Sequence, residues 1–421
     1  MRGTTQIKAP APFPRQARRW AHDNLFGGVA NTLLTVVTSL FLVFALYQIL
    51  RFVFVTAEWE VIEANRRLFF LGRFPVGEEW RIWPPILLVS ALAGLTVGLR
   101  TRLDLRSTIM MVLWLAVGLT PVFLFFAHGT VGILTAAAVG LAALGYIGAR
   151  IWLQDSRYVA LIGQLVLASW LLTFPLALVL LVGFGGADTS LGIDGVDPSR
   201  WGGFHLNILL AVVAIVASFP LGVLLALGRT SSFPVFRVAS TIYIELIRGV
   251  PLITILLMAW LVLPDFLPSF SVPVLAPSGL DDIELVYRVM VALTLFSAAY
   301  VAEIVRGGLQ AVPRGQIEAA QALGMSTARI LALIVLPQAL RAVIPALVGQ
   351  FISLFKDTSL VFIVGLTEML RAGRAVAQGQ IEFSGREMEV LLFVGLVFWI
   401  VAFSMSRLSQ QLERNLGVGE R

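Results

Sequence analysis

The chain contains no cysteine in 421 residues. That excludes a disulfide framework, a thiolate metal site and a cysteine nucleophile. Its three histidines, His22, His128 and His205, are scattered, which argues against a histidine metal site. Charge is scarce too: 13% of residues are Asp, Glu, Lys or Arg, against roughly 25% in a soluble domain. No G-x-x-x-x-G-K-[ST] occurs, so the chain carries no P-loop of its own. G-x-S-x-G and H-E-x-x-H are also missing, which argues against an intramembrane hydrolase.

What is present is apolar: 58% of residues are hydrophobic and the mean hydropathy is +0.88. Runs near 30–55, 82–99, 108–127, 131–149, 158–183, 205–228, 237–264, 288–311, 339–365 and 388–406 approach or exceed the roughly 20 residues that cross a bilayer as a helix. The prediction is an all-α membrane protein of about ten transmembrane helices, embedded in a lipid bilayer. The first 20 residues are polar and basic, with Lys8, Arg15, Arg18, Arg19 and three prolines. They read as a cytoplasmic arm rather than a cleavable signal. The net charge of +6 is spread along loops, and no basic cluster interleaves with aromatics. No nucleic-acid partner is expected.

Arginine placement gives an orientation. With the N-terminus inside, inner loops hold Arg100, Arg102 and Arg106, then Arg150 and Arg157, then Arg229 and Arg237, then Arg306, Arg314 and Arg329. The tail adds Arg407 and Arg414. Outer loops are acidic: Asp188, Asp194 and Asp197 against Arg200, and later Asp265, Asp281, Asp282 and Glu284. Segments 56–81 and 366–387 carry both signs and fall outside by parity. An even span number puts both termini in the cytoplasm. The glycine- and aspartate-rich stretch 184–204 marks a boundary. The expected organisation is a cytoplasmic arm 1–29, a transmembrane extension 30–200, a transport core 201–410 and a cytoplasmic tail 411–421.

Residues 318–337, EAAQALGMSTARILALIVLP, form a polar, alanine-rich segment between two apolar runs. Pro313 can start a helix, because its missing N–H is one that a first turn leaves unpaired anyway. Good helix formers follow from Gln316 to Leu323, and Gly324 suits a sharp change of direction. A second helix is predicted from Ser326 until Pro337. Glu318-Ala319-Ala320, then Gly324, then Ile334, Leu336 and Pro337 resemble the EAA loop of ABC-importer permeases. An ordinary amphipathic interfacial helix pair would explain the amphipathicity but not this combination at family spacing.

Residues 298–324, Tyr243–Ile253 (YIELIRGVPLI) and Leu354–Val361 (LFKDTSLV) resemble the permeases for polar amino acids, the histidine/glutamate/glutamine/arginine group. The likeness runs over 205–410, and the long N-terminal part resembles the M-type subunit of general L-amino-acid permeases. It implies a type I permease core of five to six helices. Asn31-Thr32-Leu33-Leu34-Thr35 also resembles the start of a permease scaffold helix, which leaves the first span assignable to the core. The resemblance makes 313–337 a coupling loop, with Arg314, Gly315, Gln316, Glu318, Ala319, Ala320, Leu323, Gly324 and Met325 meeting the ATPase.

Ionisable groups inside spans cost roughly 2.5–3.5 kcal/mol each on insertion scales. Glu303 reads either as a carboxylate facing the substrate or as the partner of Arg306 one turn on. Tyr300 lies on the same stretch and joins it as a candidate for the substrate path. Lys356, the only lysine after Lys8, adjoins Asp357, Thr358 and Ser359. The last three are candidates for the translocation path, while Lys356 suits a helix-packing network. Glu245, Arg248, Gly249 and Pro251 surround a break inside a span, a candidate hinge or a proline kink with Glu245–Arg248 pairing.

The resemblance thus predicts a non-catalytic permease subunit of a binding-protein-dependent ABC importer for amino acids in the bacterial inner membrane. Its implied partners are ATPase subunits that bind ATP and Mg, a second related permease and a periplasmic binding protein. The chain itself needs no cofactor. An ion-coupled secondary transporter is the alternative.

Overall fold

The computed structural model describes residues 20–100, 129–153, 158–183, 195–266 and 283–416. The span predicted at 108–127 lies outside them. Among the described residues, seven helices are long and apolar enough to cross a membrane, eight if one bent pair is a single span. No strand occurs there; the sole pairing of that kind is an isolated bridge between Gly203 and Glu368.

The chain divides into two compact units, one ending at Trp59 and the other starting at Glu60. In the first, α1 (Val29–Arg51) runs into a wide π turn, Phe52–Thr56. The Trp59 indole closes that end by donating to the Val53 carbonyl at 2.9 Å.

The second unit begins with two short helices, α2 (Glu60–Ala64) and α3 (Arg66–Leu71), followed by α4 (Trp83–Arg100), α5 (Gly129–Gly148) and α6 (Val159–Val182). Small residues let α4 and α5 touch: a Cβ on Gly94 would lie 2.0 Å from the Ala142 carbonyl oxygen. Then come α7 (Gly203–Arg229), α8 (Pro234–Gly249), α9 (Leu252–Leu257) and, after a π turn, α10 (Leu263–Phe266). The remaining helices are α11 (Leu285–Ala311), α12 (Arg314–Ala322), α13 (Thr327–Ile330), α14 (Leu336–Asp357), α15 (Met369–Gly379) and α16 (Glu387–Leu416).

Helix α11 is the axis of this unit, with 61% of its apolar stretch buried, more than any other candidate span. Its small residues explain that position. Ala298, Ala299 and Ala302 are fully buried, and Gly222 of α7 sits where a side chain would strike Val301 at 2.5 Å. Gly308 meets the Ala339 backbone of α14 in the same way. Close approach through small residues is how helices associate in lipid, where apolar surface alone gives no preference for protein over lipid. Helices α7 and α11 run parallel: Leu206 to Ala214 share a core with Val286 to Phe296, and Ala226 shares one with Val301 and Val305. Their C-termini therefore lie at the same end of the bundle.

Four expectations change. The boundary at 200/201 is not a packing boundary, because the 60–82 segment is built into the far end of the core. Val61, Ile62 and Phe69 pack with Met369, Val376 and Val390, and Asn65 and Gln380 exchange amide hydrogen bonds. The segment 366–387 is not a plain loop but contains the buried helix α15. The helix after Ser326 does not stop at Pro337. It continues through a π turn, Leu331–Val335, into α14, whose first turn holds Pro337 without needing its absent N–H. The run at 237–264 is not one straight span: α8 and the following helix meet at 104°. Val250 and Pro251 are extended there, as expected because a proline ring disfavours helical geometry in the residue before it.

Candidate functional site

At the C-terminal end of α11 the chain turns through Pro313 into α12. The helix stops at a left-handed residue, Gly324, with φ +74°. Gly324 N–H donates to the Gln321 carbonyl at 2.9 Å and Met325 N–H to the Ala320 carbonyl at 3.1 Å. This paired cap satisfies carbonyls that a helix end otherwise leaves free. Ala320 is buried with Val312, Ile330, Val335 and Ala339, and Ile317 and Met325 pack on them. Gln338 reaches back to the Gln316 side chain at 2.6 Å. The corner is therefore bonded to the spans on both sides. Its outward face is Arg314, Gly315, Gln316, Glu318, Ala319, Leu323 and Gly324, all exposed, with Leu323 83% exposed at the tip. Ala320 faces inward and Met325 is half-buried, so these two hold the corner's shape.

Above the corner, charged groups converge between α7, α8 and α11. Glu303 accepts from Arg306 at 3.0 Å and from Arg229 at 3.2 Å, and Arg229 also donates to Glu245 at 2.7 Å. Arg248 stands 4.0 Å from Glu303 and lies over the Tyr300 ring. Of the two sequence readings of Glu303, the pairing with Arg306 is present, and two more guanidiniums share the carboxylate. Glu245 pairs across to Arg229 rather than along its own helix to Arg248. Three guanidiniums beside Glu303, and Glu245 behind one of them, knit three helices together at this level.

A second node lies at the far end. Helix α14 ends at Asp357 and tightens into a 3-10 turn, Thr358–Val364, which closes on Gly365 with φ +100°. Thr358 is fully buried, donates to the Phe355 carbonyl at 2.6 Å and accepts from the Asn207 amide at 3.1 Å. The same amide donates to Glu368 at 3.2 Å, while its carbonyl takes the Met369 N–H at 3.1 Å. Glu368, fully buried outside the candidate spans, caps α15 by accepting from Leu370 and Arg371 N–H at 2.9 and 2.8 Å. Burial pushes its carboxyl up to about 7 even though these donors and Arg371 pull it down.

The structure thus separates the residues predicted for the substrate path. Thr358 belongs to the buried node. Asp357 and Ser359 are half-buried and Lys356 is exposed. Ser359 returns its hydroxyl to the Lys356 carbonyl at 2.8 Å. Neither Lys356 nor Asp357 forms a hydrogen bond or ion pair through its side chain with a described residue. Tyr300 and Glu303 sit together on α11, toward the end that carries the 313–337 corner. Sequence reasoning missed Asn207, Glu368 and Arg229. Asn207 is an amide inside an apolar run, a signal of the same kind that drew attention to Glu303.

An all-α polytopic subunit with a capped two-helix corner between its spans is the class that these elements define. The family model described as binding-protein-dependent transport system inner membrane component matches residues 218–418. The chain is 36% identical to the glutamate/glutamine/aspartate/asparagine transport system permease protein BztC of Rhodobacter capsulatus, over 98% of this chain and 97% of that one. It is 40% identical to the inner membrane amino-acid ABC transporter permease protein YhdY of Escherichia coli, over 68% and 71%. A crystal structure of an amino acid ABC transporter with histidines is 29% identical and covers 50% of this chain and 90% of that one, with a TM-score of 0.42. The chain belongs to the amino-acid permease family of ABC transport systems.

Proposed function

We propose that this chain is the membrane subunit of a binding-protein-dependent importer that brings amino acids into the cytoplasm, driven by ATP hydrolysis on separate subunits. The observation that carries this reading is the corner at 313–337. A cap that fixes its angle and a core that joins it to α11 and α14 suit it to transmit a rigid push. Its exposed tip, Leu323 with Glu318 and Ala319 beside it, offers the surface for an ATPase subunit that binds ATP and Mg. A second, related permease completes the pathway, and a periplasmic binding protein delivers the amino acid at the far end. Both termini then lie in the cytoplasm, with the chain in the inner membrane.

Within that assembly Asp357, Ser359 and Tyr300 are the groups we assign to the substrate path, with Glu303 at its inner end. Lys356 is available to the second permease. The break at Gly249–Pro251 is the hinge. The relatives named for glutamate, aspartate and their amides favour polar amino acids as cargo.

Co-purification with the ATPase, followed by reconstitution in vesicles, tests the reading. ATP hydrolysis should rise when amino-acid-loaded binding protein is added, and uptake should follow it. Uptake driven by a sodium or proton gradient without any ATPase would replace it with a secondary transporter.

A further inference from the structure

Helix α8 has three distinct sides. One packs into the unit: Ser240 and Ile244 are buried, and the Tyr243 hydroxyl donates to the Leu295 carbonyl at 2.7 Å. A second carries Arg237, Thr241, Glu245 and Arg248 at spacings of four, four and three, which place them along one face. The third carries Val235, Val238, Ile242 and Leu246, spaced three, four and four. All four are more than half exposed, and no described residue covers them. Sixteen residues at 1.5 Å each give about 24 Å, short of the roughly 30 Å hydrocarbon core. The helix then turns by 104° into α9. It begins just after α7 ends, at the end of the bundle that carries the 313–337 corner.

We propose that α8 does not cross the bilayer but lies along its surface at the coupling-loop end, with the Val235–Leu246 stripe in the acyl chains and Arg237 on the phosphates of anionic lipids. Charge complementarity favours lipid as the occupant. Arg237 makes no hydrogen bond or ion pair through its side chain with a described residue, whereas Arg229 on the neighbouring helix is fully engaged. Exposed Phe233 and Phe236, ring to ring at 6.4 Å, stand at the helix start. Apolar and cationic faces on one in-plane helix are the pattern of interfacial binding. Only the choice of leaflet rests on the cytoplasmic reading of the coupling loop.

The absence of cysteine permits a direct test. Spin labels on Val235→Cys, Val238→Cys, Ile242→Cys and Leu246→Cys, in the assembled transporter in phosphatidylcholine/phosphatidylglycerol bilayers, are probed with oxygen and an aqueous nickel chelate. The expected result is one shared depth just below the phosphates, with an Arg237→Cys label open to nickel. A crossing helix would sink by about 16 Å between 235 and 246, which would overturn the placement. So would four water-exposed labels, or dipolar coupling of all four to labels on the second permease. For the charge, headgroup-labelled phosphatidylglycerol should broaden the Ile242→Cys signal about fivefold more than labelled phosphatidylcholine. Arg237→Ala should bring the two level. Equal broadening with Arg237 present would refute the anionic-lipid assignment. None of these readouts requires ATP hydrolysis, so a failure of the coupling reading would be seen separately.

Discussion

Asn207 and Glu368 lie 161 positions apart and share a buried hydrogen bond of 3.2 Å. The bond joins α7 to the start of α15 and, through Thr358, to the point where α14 tightens. Asn207→Leu should cost about 1–3 kcal/mol, because it leaves a buried carboxylate, a hydroxyl and the Met369 N–H each short of a partner. Thermal unfolding in detergent would read this. A variant as stable as the parent would mean that these hydrogen bonds contribute no net stability.

Glu368 also gives the chain a pH signature. The folded state binds its proton more tightly than the unfolded chain, since the group titrates at about 7 rather than 4.5. Stability from this group is therefore full below pH 4.5, falls as pH rises toward 7 and is level above, a change on the order of 3 kcal/mol. Glu368→Gln should flatten that slope while keeping an acceptor for the α15 cap. Melting temperatures at pH 5, 6, 7 and 8 would decide; an unchanged slope in the variant would place the titration elsewhere.

Glu303 and Glu245 predict an unequal pair of mutants. Glu303 is shared by Arg306, Arg229 and the more distant Arg248, whereas Glu245 is over half exposed and, among the described residues, forms an ion pair with Arg229 only. Glu303→Gln should lower amino-acid uptake and thermal stability much more than Glu245→Gln. Comparable losses in both would show that the cluster acts through its outer pair.

Gly324 occupies φ +74° with open space around it. The obstacle to substitution is therefore backbone conformation, costing roughly 1–2 kcal/mol for most residues. Gly324→Asn should keep ATPase coupling better than Gly324→Val, because asparagine tolerates the left-handed region. Gly324→Asp tolerates the same backbone but puts a negative charge on the exposed tip beside Leu323, and should abolish transport through that charge while membrane insertion is kept. Wild-type uptake in the aspartate variant would mean that this corner does not couple.

The sequence makes the spans and the corner legible because both are local. Apolar runs announce helices, and Pro313, Gly324 and the alanines announce a bounded turn. What it hides depends on partners far away in the chain. Glu368 looks like a solvated loop acid until Asn207 and Thr358 surround it. Arg229 looks like a topological marker until Glu303 and Glu245 face it. The bend at Val250–Pro251 shows in the sequence as a break, but its 104° angle does not.

The contact between Asn65 and Gln380 has a consequence in time. Those residues are 315 positions apart, and a ribosome adds roughly 5–20 residues per second. The 60–82 segment is therefore made about 15–60 seconds before its partners on α15 and α16 exist. For that interval Phe69 lacks Met369, Val376 and Val390, so this end of the second unit completes its core only when α15 and α16 have been made.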